Sequence, residues 1–250
     1  MVDLQTPRTP PPITMAFQPI VDFGCGEVFA YEALVRGTGG EGAYEVLSSI
    51  AEADRVAFDQ TCRLTAITIA SRLGLAEGGA ALSINFLPDA VREPWARTDA
   101  TLAAAEKLAF PADRIILEFT EEQAVHDHAH LAQIVTAYRA LGFRTAIDDF
   151  GAGHSGLALL AKFQPDIIKL DMELVRGIDT DRVRRTIVAS VQRMCEELCI
   201  VLVAEGIETG GEYRALRDLG VDLLQGYLFA RPAVEALPAP AWPAGVVGRA

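Results

Sequence analysis

The sequence is short of cysteine, of long apolar runs and of basic residues, and each shortage closes off a class of function. Four cysteines in 250 residues (Cys25, Cys62, Cys195 and Cys199) do not make a disulfide framework at this size. Cys195 and Cys199 stand four apart on a predicted helix with no further Cys or His at zinc-ligand spacing, so buried thiols are expected. No stretch reaches the roughly 18 consecutive apolar residues of a membrane span, and the first residues lack the basic-then-apolar order of a secretion signal. The expectation is a cytoplasmic chain with no membrane segment. Lys and Arg number 22 against 34 Asp and Glu, a formal net charge of −12. Polymeric nucleic acid needs a basic surface to neutralise its phosphates, which argues against a general nucleic-acid binder. A small phosphorylated substrate stays open, because divalent metals invert the local field of an acidic pocket.

What is present reads as a folded α/β domain. Half of the residues are hydrophobic, and 250 residues suit a single barrel. Residues 1–14 are proline-rich and read as a flexible leader. Two strands, Ala16–Asp22 and Val28–Arg36, meet at a turn around Gly24–Gly26 and should pair antiparallel. Helical patterns follow at Tyr44–Ala53 and Arg55–Leu73. From there strands at Ala81–Phe86, Ile115–Thr120, Thr145–Asp149, Asp166–Asp171, Val201–Glu205 and Leu223–Tyr227 alternate with helices, among them Asp181–Leu198 and Gly211–Leu219. Near-continuous apolar strands alternating with helices indicate a parallel sheet covered on both faces. Eight strands favour closure, giving a modified TIM-like (β/α)8 barrel with an antiparallel first strand. The expected limits are 15–236 for the barrel and 237–250 for a loose tail, with an edge helix or tail after Arg231.

The run Thr145–Ser155 organises the rest. A buried strand leads into adjacent carboxylates, Asp148 and Asp149, and then into Gly151-Ala152-Gly153, which continues neither helix nor strand. Two acids at the mouth of an apolar strand are costly unless a cation or donors meet them. Side chains two apart on a strand share a face. That rule groups Glu32 with Leu34 and Arg36, Ser83 with Asn85, Glu118 with Thr120, Lys169 with Asp171, and Val203 with Glu205. The polar member falls near the C-terminal strand ends, so Glu32, Asn85, Glu118, Asp148, Asp149, Lys169 and Glu205 can converge on one rim. Several carboxylates and one amide oxygen form a hard-oxygen set suited to Mg²⁺ or Mn²⁺. So many acids fit two ions sharing a bridging carboxylate. Lys169 could orient or help deprotonate the attacking water, and Arg36 offers a fork for a phosphate oxygen. Singly, each residue has a plainer reading. A strand-end acid can cap a helix, Lys169 can pair with Asp171, and Glu208 can cap the helix after Gly210–Gly211.

The motifs Phe17-Gln18-Pro19-Ile20, Tyr31-Glu32-Ala33-Leu34-Val35-Arg36, Ser83-Ile84-Asn85 and Glu118-Phe119-Thr120-Glu121 come in order. Asp148-Asp149-Phe150-Gly151, Lys169-Leu170-Asp171, Ala204-Glu205-Gly206-Ile207-Glu208 and Gln225-Gly226-Tyr227 follow. Together they make the chain resemble the EAL domain family from about Phe17 to Pro232. The resemblance implies a phosphodiesterase that linearises cyclic di-GMP to pGpG with two Mg²⁺ or Mn²⁺ ions. It implies that Glu32, Asn85, Glu118 and Asp148 hold the first ion, and that Asp148 bridges to the second with Asp149 and Glu205. Lys169 matches the lysine that contacts the attacking water. Gln18, Leu34, Arg36 and Gln225 match substrate-side positions, and Glu121 and Glu208 match loop-supporting acids. A homodimer is a further implication, whereas an upstream sensor or partner protein is not identified by the sequence. The departure from the family pattern is His154 and Gly156, where Tyr and Ser are common. Two other readings remain: a catalytically inactive cyclic di-GMP receptor on the same fold, and an unrelated Mg²⁺ barrel that abstracts protons with Lys169 as base.

Overall fold

Ile13–Asp22 (β1) and Glu27–Gly37 (β2) form the expected antiparallel hairpin, with Gln18 opposite Glu32 and Gly26 in the left-handed region at the turn. The structure, a computed structural model, describes residues 11–87, 94–120, 128–153 and 156–243. After β2 come the helices Ala43–Ser48 (α1) and Arg55–Arg72 (α2), then the strand Ala81–Asn85 (β3) and the helix Pro94–Lys107 (α3). Ile115–Thr120 (β4), His128–Ala140 (α4), Arg144–Phe150 (β5), Gly156–Leu160 (α5) and Ile167–Leu170 (β6) continue the alternation. Met172–Val175 (α6), Arg182–Leu198 (α7), Val201–Ala204 (β7), Gly210–Asp218 (α8), Leu223–Leu224 (β8) and Ala233–Val234 (β9) complete it. Strands β2 to β8 pair in parallel in chain order, and β1 closes the circle between β8 and β2, antiparallel to both. The fold is the modified TIM-like barrel read from the sequence.

Alternation along each strand sorts the interior. One layer of the barrel lumen takes a single apolar side chain from each of the eight strands: Ile20, Ala30, Ala81, Ile116, Ala146, Ile167, Val203 and Leu223. Two residues on, toward the C-terminal ends of the parallel strands, stand Glu32, Ser83, Glu118, Asp148, Lys169, Glu205 and Gln225, and Gln18 of β1 lies opposite Glu32. The period of two therefore lays a polar layer on a dry floor. Outward-facing residues such as Phe17, Leu82, Leu117, Phe119, Ile147 and Ile168 pack under the helices in the main core. Helix ends carry local signals. Asp181 caps α7 by accepting from the Val183 and Arg184 amides, and Thr209 and Glu212 form a capping box on α8.

Several sequence readings are corrected. The first helix stops at Ser48, with a separate 3₁₀ turn at Glu52–Asp54. Asp171 ends no strand; it caps α6, accepting from the Glu173 amide at 2.7 Å. Among the thiols, Cys195 is buried but Cys199 is an exposed left-handed helix end. The last barrel strand is two residues rather than five. After Leu224 the chain leaves the sheet, and Ala233–Val234 rejoins β1 beside Phe17 and Ala16. Pro19, which has no N–H to give a neighbour, lies on the stretch of β1 between those two contacts. Residues 233–243 are also neither helix nor loose chain. The Tyr31 hydroxyl donates to the Pro238 carbonyl at 3.2 Å, and Trp242 packs edge-on against Phe23.

The excursion after Leu224 is held by backbone hydrogen bonds between Ile207 and both Gln225 and Leu228, and by one close approach. A Cβ on Gly226 would stand 2.0 Å from the Ile207 carbonyl oxygen and 2.4 Å from its nitrogen, both backbone atoms. Gly226→Ala therefore has to push apart the loops after β7 and β8. It should cost about 3 kcal/mol or more in urea unfolding. A variant as stable as the parent protein would show that the two loops are not locked.

Candidate metal centre

At the centre of the polar layer the Lys169 ammonium, 1% exposed, meets four carboxylates. Its Nζ lies 2.6 Å from Glu205 Oε1, 3.1 Å from Glu118 Oε2, 3.1 Å from Asp148 Oδ1 and 3.4 Å from Glu32 Oε2. Of these contacts only the one to Glu118 is a hydrogen bond in direction as well as distance. Asp148 Oδ1 is a buried atom facing the ammonium without a well-directed hydrogen bond, and the contact to Glu205 Oε1 is short but poorly directed. Lys169 does not pair with Asp171, which serves as the α6 cap.

Asp148 and Asp149 are neighbours, and neighbours on a regular strand point to opposite faces. Here the register slips. Ile147 pairs with Ile168 while Phe150 pairs with Leu170, so β5 carries one extra residue opposite Lys169. The bulge falls at the two aspartates, and Asp149 takes the left-handed conformation (φ 53°). Both carboxylates consequently reach one site. Gly151 (φ 99°) completes the turn against α6, where a Cβ would meet Leu174 Cδ1 at 2.5 Å.

Two groups of carboxylate oxygens result, each with its members within 4.8 Å of one another: Glu32, Glu118 and Asp148, and Asp148, Asp149 and Glu205. Asp148 belongs to both. Asn85 stands at the rim with its Nδ2 3.4 Å from Glu32 Oε1, so its amide oxygen turns inward only on rotation of the group. Gln225 donates to Glu32 Oε2 at 2.7 Å, and Gln18 donates to the Ala230 carbonyl at 3.0 Å. A cavity of about 330 Å³ above the carboxylates is lined by Gln18, Glu32, Leu34, Glu205, Glu208 and Gln225, with Met172, Arg176 and Tyr227.

Other predicted residues fall differently. The Arg36 guanidinium folds back to donate to the Val35 carbonyl at 2.7 Å and does not line the cavity. Glu208 caps no helix; its carboxylate holds Arg176 at 2.7 Å, joining the loop after β7 to α6. Glu121 and His154 lie outside the described residues, and Gly156 is the buried first residue of α5. Sequence reasoning placed Ser83 on the right face but gave it no role. It is fully buried and donates to Glu118 Oε1 at 2.5 Å. Glu212 was also passed over, although Thr209-x-x-Glu212 is a readable capping box. Its carboxylate accepts from the Gly177, Glu208 and Thr209 amides, each at 3.0 Å, and so ties the two loops beside the cavity.

The EAL domain family profile matches residues 8–232. The chain belongs to the EAL domain family. It is 33% identical over 229 residues to the blue light- and temperature-regulated antirepressor BluF of Escherichia coli. It is 29% identical over 228 residues to the probable cyclic di-GMP phosphodiesterase PdeN of the same organism. Those matches cover 91% and 87% of this chain but 56% and 43% of the relatives, so the chain spans about half the length of the curated relatives it matches. A standalone EAL protein from Vibrio cholerae O395, solved with c-di-GMP, superposes with a TM-score of 0.89 at 47% identity. That match covers 94% of this chain and 98% of the other. BlrP1 of Klebsiella pneumoniae, solved with manganese and cyclic di-GMP, gives 0.88 at 37% identity, covering 98% of this chain and 60% of that one.

The donor set of this EAL barrel fits divalent ions. It offers hard oxygens, two clusters with a shared member, and buried carboxylate atoms that lack well-directed hydrogen bonds. Charge crowding shows in the proton affinities. Burial, with Glu32 and Asp148 adding to it and Lys169 offsetting it only partly, pushes the Glu118 carboxyl up to about 8. Partial burial, then Asp148 and Asp171, raises Asp149 to about 6. Burial, then Asp148 and Glu32, carries Glu205 well above the usual carboxylate range. Burial opposes the charge of Lys169, but its four acids prevail and hold it protonated far above the ordinary lysine value.

A carboxyl with a raised folded-state value takes up protons on folding, so stability falls as pH rises from its unfolded to its folded value. For Glu118 that window runs from the ordinary 4.5 to about 8. In chelator, the thermal midpoint should therefore drop as pH rises from about 4.5 to about 8. Mn²⁺, which needs ionised ligands, should stabilise more at the upper end. A midpoint that climbs through that window in chelator would contradict the crowding. Ser83→Ala should weaken Mn²⁺ binding about tenfold in titration calorimetry, with Ser83→Thr restoring part of it. Equal affinities in all three proteins would remove Ser83 from the site's support.

Proposed function

We propose that this EAL barrel hydrolyses cyclic di-GMP to linear pGpG with two Mg²⁺ or Mn²⁺ ions. The observation that carries the proposal is the pair of carboxylate clusters sharing Asp148 beside a single buried ammonium. Glu32, Asn85, Glu118 and Asp148 would hold one ion, and Asp148, Asp149 and Glu205 the other. Bound there, the ions supply Lewis-acid stabilisation of phosphoryl charge and a water nucleophile at neutral pH. The chain's own groups do the rest. Lys169, the ammonium that both clusters face, would orient the attacking water. Ser83 fixes the rotamer of Glu118, and Gln225 fixes that of Glu32. Gln18, Leu34 and Gln225 form the substrate-side wall. Arg36 reaches a phosphate oxygen only after releasing the Val35 carbonyl. Glu208 and Glu121 are assigned to loop support.

The antirepressor among the relatives favours a second reading, a receptor on the same barrel that binds the dinucleotide without cleaving it. Incubation with cyclic di-GMP and Mn²⁺ or Mg²⁺ separates the two. The enzyme yields pGpG, and product disappears with chelator and in Glu32→Ala or Lys169→Ala. Tight binding without product identifies the receptor. Asp148→Asn, which weakens both clusters at once, should lower turnover about 100-fold or more, and Glu208→Gln much less. The reverse order would refute Asp148 as the shared ligand.

A further inference from the structure

The cavity over the carboxylates is walled by Glu32, Glu205 and Glu208, and among its described lining residues Arg176 is the one cation. Lys169 lies below, enclosed by four acids, and Arg36 is turned away onto its neighbour's carbonyl. Arg176 is held from both ends. It follows α6, which Asp171 caps, and its carbonyl accepts from the Arg184 guanidinium. The next amide, Gly177 N, is held by buried Glu212 at 3.0 Å. Its side chain, 50% exposed, is fixed through Nη2 to Glu208 Oε1 at 2.7 Å. Among the described residues its Nε and Nη1 make no hydrogen bond, so part of the guanidinium fork stays available at the cavity wall.

A cyclic dinucleotide brings two phosphodiesters. Ions held at the two clusters would neutralise one, and the other would face the carboxylates of the cavity wall. From the phosphodiesterase reading, on which this step rests, we infer that Arg176 binds the non-reacting phosphodiester, with Glu208 holding the guanidinium in place. As a mere surface tie between two loops the Arg176–Glu208 pair would add little, since half-exposed ion pairs are weak. As a preoriented anion fork it gives the acidic wall a local attraction for a dianionic ligand, the one cation among the described lining residues.

The test compares cyclic di-GMP with bis(p-nitrophenyl) phosphate, which has a single phosphodiester, in Mn²⁺ with the full chain. Arg176→Met should raise KM for the cyclic dinucleotide about 10- to 100-fold and lower its kcat/KM relative to the small diester by a similar factor. Arg176→Lys, which keeps charge and bulk, should fall between and guards against a misfolded Met variant. A KM within about twofold of the parent in both variants, or an equal loss on both substrates, overturns the assignment. Calorimetric binding of cyclic di-GMP in Ca²⁺ separates this inference from the one beneath it. If the parent binds but does not cleave, hydrolysis fails while a 10- to 100-fold weaker Kd in Arg176→Met still supports the phosphate contact. An unchanged Kd sinks it, and a parent that neither binds nor cleaves sinks both.

Discussion

The structure is arranged around one unbalanced charge cluster. Glu32, Glu118, Asp148 and Glu205 share the single ammonium of Lys169, and Asp149 stands beside them. Below lies a floor to which every barrel strand gives one apolar side chain, so relief cannot come from that side. Excess negative charge in such a place is met by protons or by cations entering from the mouth. Protons fill the need in the metal-free state, as the raised Glu118, Asp149 and Glu205 carboxyls indicate. Divalent ions would fill it while leaving the ligands ionised. The same crowding that makes the layer costly makes it selective for hard cations.

Two departures from regular strand geometry make that cluster available. The bulge in β5 turns both aspartates to one side, where strict alternation would have sent Asp149 into the core or under a helix. The left-handed residue costs on the order of 1–2 kcal/mol, less for Asp than for most side chains, and the packing of Phe150 and the fit of Gly151 against Leu174 hold it. The second departure is the excursion of residues 225–232 out of the sheet. It frees Gln225 and Gln18 to reach across the rim, and the contact of Gly226 with Ile207 binds the excursion to the loop that follows Glu205. Both irregularities sit at the mouth; farther down, the β1–β2 hairpin carries its own register slip between Ile20 and Val21, away from the carboxylates.

Much of this could be read before any coordinates. Apolar alternation located all eight barrel strands, and the rule that residues two apart share a face named the carboxylates that meet Lys169. What escaped depends on long-range packing. Nothing local in Leu223–Tyr227 says that the strand stops after Leu224, because Gln225 and Tyr227 are acceptable strand residues. The stop is enforced by Ile207, distant in sequence. The Ser83 hydroxyl looked like ordinary strand polarity, since its partner lies 35 positions away on the next strand. Asp171 shared a face with Lys169 on paper, yet the strand ended one residue sooner and the carboxylate became a cap. Arg36 shows the same limit. A face assignment fixes where a long side chain starts, and its end goes to whichever acceptor is close.

The layer also discriminates between chemistries that share this fold. A lysine that abstracts a proton from carbon has to give up its own proton near neutrality, which calls for an apolar or cationic surrounding. Lys169 has the opposite environment, four carboxylates within 3.4 Å, which hold it as a fixed positive charge. A fixed donor beside two oxygen clusters with a common member suits a pair of divalent ions, which would supply the stabilisation of charge on oxygen that the proposed hydrolysis needs. Neutral carbon acids gain nothing from so many acids at the mouth. A phosphodiester, whose charge would match ions held by these carboxylates, fits the proposed hydrolysis.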